Sequence, residues 1–181
     1  LDILEGGLEK LNINKNLLKC GIHNPININS SNKLLLSGSI PNQLHNNCSG
    51  KHLAMISGCL SLKMSIKGYT NFSHPYQKKI REVMEKFLEC KINKIQVGVD
   101  GCSAPQYAFK LKNLSIAMVN LIKEYKKNSK QSIAIQTLFN SIIKNPLLIG
   151  GNNRFDSDLM LATNGKIFAK GGAEGVLLFA N

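Results

Sequence analysis

Arginine is scarce in this chain. Arg81 and Arg154 are its two guanidinium groups, although Lys and Arg together number 23 against 11 Asp and Glu. The resulting net charge of +12 invites a nucleic-acid reading. The charge is nearly all lysine scattered over helical faces, however, and Lys with abundant Asn and Ile is what a compositionally biased genome gives, so no nucleic-acid partner is expected. Also missing is an apolar run approaching the roughly 20 residues needed to span a bilayer, and with it any membrane anchor. A regular cysteine framework is absent as well. Cys20, Cys48, Cys59, Cys90 and Cys102 are odd in number and follow no signal peptide, which points to a reduced, cytoplasmic setting. No internal repeat is visible. There is no initiating Met: the chain starts at Leu1 within helical spacing and stops at Asn181 after an apolar run, so both ends read as cut.

With 181 residues, 43% of them apolar, the chain can fill one core, and a single domain over 1–181 is expected. Leu1, Leu4, Leu8 and Leu11 have helical spacing. A break at Leu18–Pro25 leads into an Asn/Ser-rich loop to Ser31. Ser30 and Lys33 stand there in Ser-x-x-Lys spacing, in polar surroundings with no helix expected to hold them in register. Lys51 to Met64 reads as a helix buried on most sides. Ser73-His74-Pro75 starts another, with Ile80, Val83, Met84, Phe87 and Leu88 as its apolar stripe. Ile95 to Val99 alternates like a strand and runs into an Asp100-Gly101 turn. Further helices are expected over Ala108–Tyr125 and over Gln131–Lys144, the latter with Ile135, Leu138, Phe139, Ile142 and Ile143 inward. Pro146 to Gly151 resembles a strand ending in a Gly turn, and a short helix capped by Asp156 or Ser157 follows. Lys166–Lys170 and Gly175–Phe179 read as two closing strands, giving an α/β chain of mixed α+β character.

The chemistry concentrates in His45-Asn46-Asn47-Cys48-Ser49-Gly50-Lys51-His52. A cysteine at a helix start, with Lys51 one turn on, is placed to become a thiolate, because the helix terminus and the ammonium both favour the charged form. Such a thiolate can attack an acyl carbon or bind a soft metal such as zinc. The alternative is a loop that caps a helix, with Cys48 simply buried. Val99-Asp100-Gly101-Cys102 delivers an acid and a second thiol to a tight turn, a common way of presenting functional groups. Lys170-Gly171-Gly172 after a strand has the Lys-x-Gly form that projects a lysine into the active site of penicillin-recognising acyl-transfer enzymes.

These segments occur in order with Lys19–Pro25, Gly68-Tyr69, His74-Pro75-Tyr76-Gln77, Arg154–Met160 and Lys170–Val176. Together they resemble the rhizobial-type L-asparaginase II family over nearly the whole chain. The resemblance implies hydrolysis of the side-chain amide of L-asparagine to L-aspartate and ammonia. It implies a fold similar to serine β-lactamases and glutaminases, with a helical region packed against a mixed sheet, and Ser-Lys acyl-enzyme chemistry. It makes Lys170 the strand lysine of a Ser-Lys pair, places a zinc ion at Cys48, Lys51 and Cys102, and lines the substrate site with Asp100 and His52. It also implies a homodimer. It assigns no role to Arg154 or Glu174.

The chain departs from that pattern in two ways. The nucleophilic Ser-x-x-Lys of the family precedes the Cys-Ser-Gly-Lys-His segment, and Ser30 with Lys33 does not match it in place or context. Asp156 occupies a position where some members carry a third cysteine. The chain therefore reads as the central part of an asparaginase II domain. The alternatives are a catalytically inactive zinc-binding module and a related glutaminase or β-lactamase-like acyl hydrolase.

Overall fold

The computed structural model describes residues 1–93 and 96–181. Ile95, the expected first residue of the central strand, lies outside the described residues. The class is α+β: eight α-helices and two small antiparallel sheets among the described residues. The chain divides into two compact units. The first takes Leu1–Val83 with Ile92–Ala108, and the second takes Met84–Lys91 with Phe109–Asn181.

In the first unit, α1 (Asp2–Leu11) packs against α3 (Ser49–Ser61), with Gly7 close against the Leu53 side chain. The buried positions of α3 are Ser49, His52, Met55, Ile56 and Cys59. That is a single helical stripe, narrower than the burial on most sides that was expected, and Lys51 and Ala54 are exposed. The stripe joins Leu8, Leu18, Cys20, Leu44, Tyr69, Cys102 and Ala104 in one core, so the Cys102 loop belongs to the same packed cluster as α3. The α4 helix (Pro75–Leu88) begins at the expected proline, and His74 Nδ1 accepts the Tyr76 N–H at 3.1 Å. Its expected stripe holds except at Val83, which is 53% exposed.

The segment expected as loop up to Ser31 runs into α2 (Ile28–Leu36), started within it by the Asn27 side chain, which accepts the Ser30 N–H. Sequence periodicity missed it because α2 buries no residue; Leu35 and Leu36 face solvent. Ser30 and Lys33 therefore do share a helix.

Strands β1 (Val97–Val99) and β2 (Pro105–Tyr107) pair antiparallel, with Val97 opposite Tyr107 and Val99 opposite Pro105. Their connection is residues 100–104, closed by the Asp100 N–H to the Ala104 carbonyl at 2.9 Å, with Ser103 in the left-handed region.

In the second unit, α5 (Leu111–Tyr125) and α6 (Lys130–Lys144) pack together, and a Ser129/Ser132 capping box starts α6. Ile135 and Phe139 of α6 are buried, while Leu138, expected inward, is 57% exposed. The Phe139 ring stacks on Phe168 with centroids 4.2 Å apart.

The expected strand at Pro146–Gly151 is instead the short helix α7 (Pro146–Ile149). Proline at its first position supplies a helical φ and lacks only an N–H that a helix start leaves unused. The α8 helix (Phe155–Ala162) has Arg154 at its N-cap, without a side-chain cap. Strands β3 (Phe168–Gly171) and β4 (Leu177–Ala180) form the second antiparallel pair, where the closing strands were expected. The strands thus make two separate hairpins among the described residues rather than one mixed sheet. No helix of the described residues is long and apolar enough to cross a membrane.

Candidate active site and metal centre

Two segments about fifty positions apart in sequence meet in the first unit. One is the start of α3, where Cys48 is the N-cap residue, and the other is the β1–β2 connection. The Cys48 loop is shaped by Asn46, which is buried. Its carboxamide oxygen accepts the Cys48 N–H at 2.8 Å, and its NH2 donates to the Cys20 carbonyl at 2.7 Å. On the other side, Asp100 Oδ1 accepts the Gly101 N–H at 2.7 Å, which tightens the turn that carries Cys102.

The ligand atoms of Cys48, Asp100 and Cys102 all lie within 4.8 Å of one another. Asp100 Oδ2 accepts from Lys51 Nζ at 3.2 Å and from the Cys102 thiol at 3.2 Å. The lysine and the carboxylate are each about two-fifths exposed, at 45% and 39%, so this pair contributes little stability, about 0–1 kcal/mol. Its consequence is local: it fixes where charge sits. The Cys102 hydrogen bond, with Lys51 and the Gly101 N–H, holds the Asp100 carboxyl below its usual range against the opposing effect of burial. Burial lowers the affinity of Lys51 for its proton, but the hydrogen bonds it donates toward Cys102 and Asp100 outweigh it and keep the ammonium charged.

Cys48 does not behave as the spacing suggested. Burial raises its pKa, and the neighbouring Cys102 and Asp100 add to the rise, so the attraction of Lys51 does not win and the metal-free thiol stays protonated. The chemistry of this donor set nevertheless fits zinc. Thiolates and a carboxylate are ligands zinc takes, and all three ligand atoms already lie within 4.8 Å of one another. Two soft thiols with one further donor, either the Asp100 carboxylate or a deprotonated Lys51 amine beside it, would leave one coordination position for water or substrate.

His52 lies beneath this cluster and is fully buried. Its Nδ1 is 2.6 Å from the Tyr69 hydroxyl, and its Nε2 is buried without a hydrogen-bond partner. Burial, reinforced by the Lys51 charge, lowers its pKa to about 4, so the ring is neutral. The Tyr69 hydroxyl also accepts the Lys19 N–H at 2.9 Å and lies 3.3 Å from the Leu17 carbonyl. Burial pushes its pKa up to about 12. Cys20, fully buried, has its thiol 3.5 Å from the Gln43 carbonyl. Asn46, Tyr69 and Cys20 were not singled out as site residues by sequence. Their only signal is that they stand in or beside the quoted segments.

Lys170, the remaining candidate, belongs to the second unit, at the end of β3. Its Nζ donates to the Gly171 carbonyl and lies 3.8 Å from Asp156 Oδ2.

Two Ser-x-x-Lys pairs occur in the chain. On α2 the Ser30 hydroxyl donates to Asn27 Oδ1 at 3.2 Å, and both Ser30 and Lys33 are exposed. The second, Ser141 and Lys144 on α6, was overlooked by sequence. Its serine donates to the Thr137 carbonyl at 2.7 Å on an exposed face.

A search among curated proteins finds no match to the chain. A family model, that of L-asparaginase II, matches residues 1–181. The match spans the Cys48–His52 segment, the Asp100–Cys102 turn and the Lys170 strand together, and the chain belongs to the L-asparaginase II family.

Proposed function

We propose that this chain is an amidohydrolase that converts L-asparagine to L-aspartate and ammonia. The observation that supports it best is the meeting of Cys48, Lys51, His52, Asp100 and Cys102 in one cluster, although they come from two distant segments of a chain of this family. Cys48, Cys102 and Lys51 would hold a zinc ion, the two thiols and the Lys51 ammonium each giving up a proton on binding. When bound, zinc supplies a Lewis acid that orients and polarises an oxygen of the substrate. Asp100 holds the α-ammonium of the substrate through the oxygen that Lys51 occupies in the metal-free protein. His52 supports the floor of the site as a neutral ring. Lys170 is the amine that takes and returns the proton of a reacting serine hydroxyl in Ser-Lys chemistry. The fold type is that of serine β-lactamases and glutaminases, and the protein acts as a cytoplasmic homodimer.

A second reading is a zinc-binding module without turnover. It is favoured by the Ser-x-x-Lys pairs, in which each serine hydroxyl is bonded to its own helix or cap, not to its lysine.

Ammonia release from L-asparagine tests the proposal, with the chain run beside a version extended upstream and with L-glutamine as competitor. Turnover by either form with zinc present supports it. Folded, zinc-loaded protein that releases no ammonia in either form refutes it and leaves the binding module. Preference for glutamine would move the assignment to a glutaminase.

A further inference from the structure

Asp156 is a buried carboxylate that the site described above does not use. It sits in the first turn of α8 and is 5% exposed. An ionised group so buried costs free energy unless its lone pairs are taken. Here Oδ1 accepts the Ser157 N–H at 3.1 Å and Oδ2 accepts the Gly171 N–H at 2.8 Å. The remaining partner is the Lys170 ammonium, 3.8 Å from Oδ2.

Two glycines make this seat. A Cβ on Gly150 would fall 2.4 Å from Asp156 Oδ1, and one on Gly171 would fall 3.1 Å from Oδ2. The carboxylate is thus closed in by backbone, and Ser157, itself fully buried, is fixed by its hydroxyl to the Pro146 carbonyl at 3.1 Å. On the other side of the contact, Lys170 is half exposed and its Nζ also donates to the Gly171 carbonyl. A flexible side chain on a strand end is therefore held at two points, one of them a rigid buried charge.

We propose that Asp156 is the positioning residue for Lys170: it anchors the end of β3 through the Gly171 N–H and sets the direction of the Lys170 amine through its charge. The proposal rests on the reading of Lys170 as a reacting amine, but the anchor can be tested without turnover. Asp156→Asn keeps one oxygen, which can accept the Gly171 N–H, and removes the charge together with the acceptor for the Ser157 N–H.

The test is reductive methylation of the full chain under native conditions, with each lysine followed by peptide mass spectrometry and the exposed Lys166 as internal reference. In Asp156→Asn the Lys170 rate should rise about threefold relative to Lys166, the scale expected for losing a partly exposed ion pair. Should the variant fail to fold, the wild type decides. Raising salt from about 0.05 M to about 1 M screens the pair and should speed Lys170 relative to Lys166.

Equal relative rates in the variant, or in the wild type at both salt concentrations, overturn the anchor. In an active form of the enzyme, Asp156→Asn should lower kcat for asparagine at least about tenfold, with KM within about twofold, as expected when an amine that acts in the transition state is misplaced. Unchanged kcat overturns the positioning role. A wild type without turnover, but with Lys170 released in Asp156→Asn, removes the reading of Lys170 as a reacting amine and leaves the anchor standing.

Discussion

Replacing Tyr69 by Phe tests whether the floor of the metal cluster is held by one hydroxyl. Tyr69 is 2% exposed, and its ring meets His52 edge-on with centroids 5.6 Å apart. Phenylalanine keeps that ring and leaves no cavity to speak of, so the packing contribution drops out of the comparison. What is lost is the oxygen that accepts from Lys19 N at 2.9 Å and meets His52 Nδ1 at 2.6 Å. Nε2 of His52 is already without a partner, so the variant leaves both nitrogens of a fully buried ring unsatisfied, together with a backbone N–H. Each newly orphaned group costs about 1–3 kcal/mol, so two of them cost about 2–6 kcal/mol in total. That is a large share of the roughly 5–15 kcal/mol that holds a domain together. Urea denaturation of wild type and variant should show the midpoint falling with the slope unchanged, and the melting temperature should drop by roughly 10–20 °C. Tyr125→Phe is the control. Its hydroxyl makes one exposed contact with Asn140 at 3.4 Å, so the change should stay within about 0.5 kcal/mol. A cost below about 1 kcal/mol for Tyr69→Phe would refute the idea that this hydroxyl organises the ground beneath Cys48 and Cys102.

The cluster itself should bind one zinc per chain, read by elemental analysis after dialysis, and Cys48→Ala and Cys102→Ala should each abolish it. If circular dichroism then shows Cys48→Ala folded but without turnover, the ion is catalytic; if the fold is lost with the ion, it is structural. Gly58→Ala would place a Cβ 2.0 Å from the Tyr76 hydroxyl, a contact that forces the half-buried ring to move at a cost of about 1–3 kcal/mol; an unchanged denaturation midpoint would show that the ring yields freely. Glu124 gives a pH prediction. Hydrogen bonds from Lys127 and from Ser129, each at 2.8 Å, lower its pKa from the usual 4.5. A carboxylate depressed in the folded state stabilises above its unfolded pKa, and that contribution is lost as pH falls from about 4.5 through the folded value. Glu124→Gln should therefore flatten the acid limb of the unfolding curve below about pH 4.5 and leave its shape near neutrality unchanged; parallel acid limbs would count against the pairing.

Where the chain was legible, the reason was burial on one face. The α4 stripe and the α6 face are amphipathic, so their periods show in sequence even though Val83 and Leu138 turn outward. Where it was not legible, burial was missing or position mattered more than pattern. Helix α2 rests on the Asn27 cap and buries nothing, so hydrophobic spacing could not reveal it. Leu147-Leu148-Ile149 looks like a strand by composition. All three side chains remain at least 39% exposed, and Pro146 starts a helical turn instead. The site followed a different logic. Cys48, Lys51 and His52 share one helix start, so their proximity was readable from spacing; their proximity to Asp100 and Cys102 was not. It came from the ordered resemblance to a family, and the structure brings them together through a hairpin connection. The charge state of Cys48 was misjudged because spacing reports the nearby ammonium and helix terminus but not the burial that outweighs them.

That construction links metal to folding. The two thiols come from segments that approach only when the β1–β2 connection docks against α3, since Cys102 and Ala104 share their core with Ile56 and Cys59. In an unfolded chain they are about fifty residues apart, and closing such a loop is an entropic cost that a bound ion would offset. A cation that binds the native cluster and not the separated thiols stabilises the first unit by about 2.7 kcal/mol at one hundred times its dissociation constant. The proposed zinc should therefore raise the denaturation midpoint in wild type and leave Cys102→Ala unmoved. If zinc stabilised both equally, the ion would be binding elsewhere, and the Cys48–Asp100–Cys102 cluster would be a hydrogen-bonded loop anchor and not a metal centre.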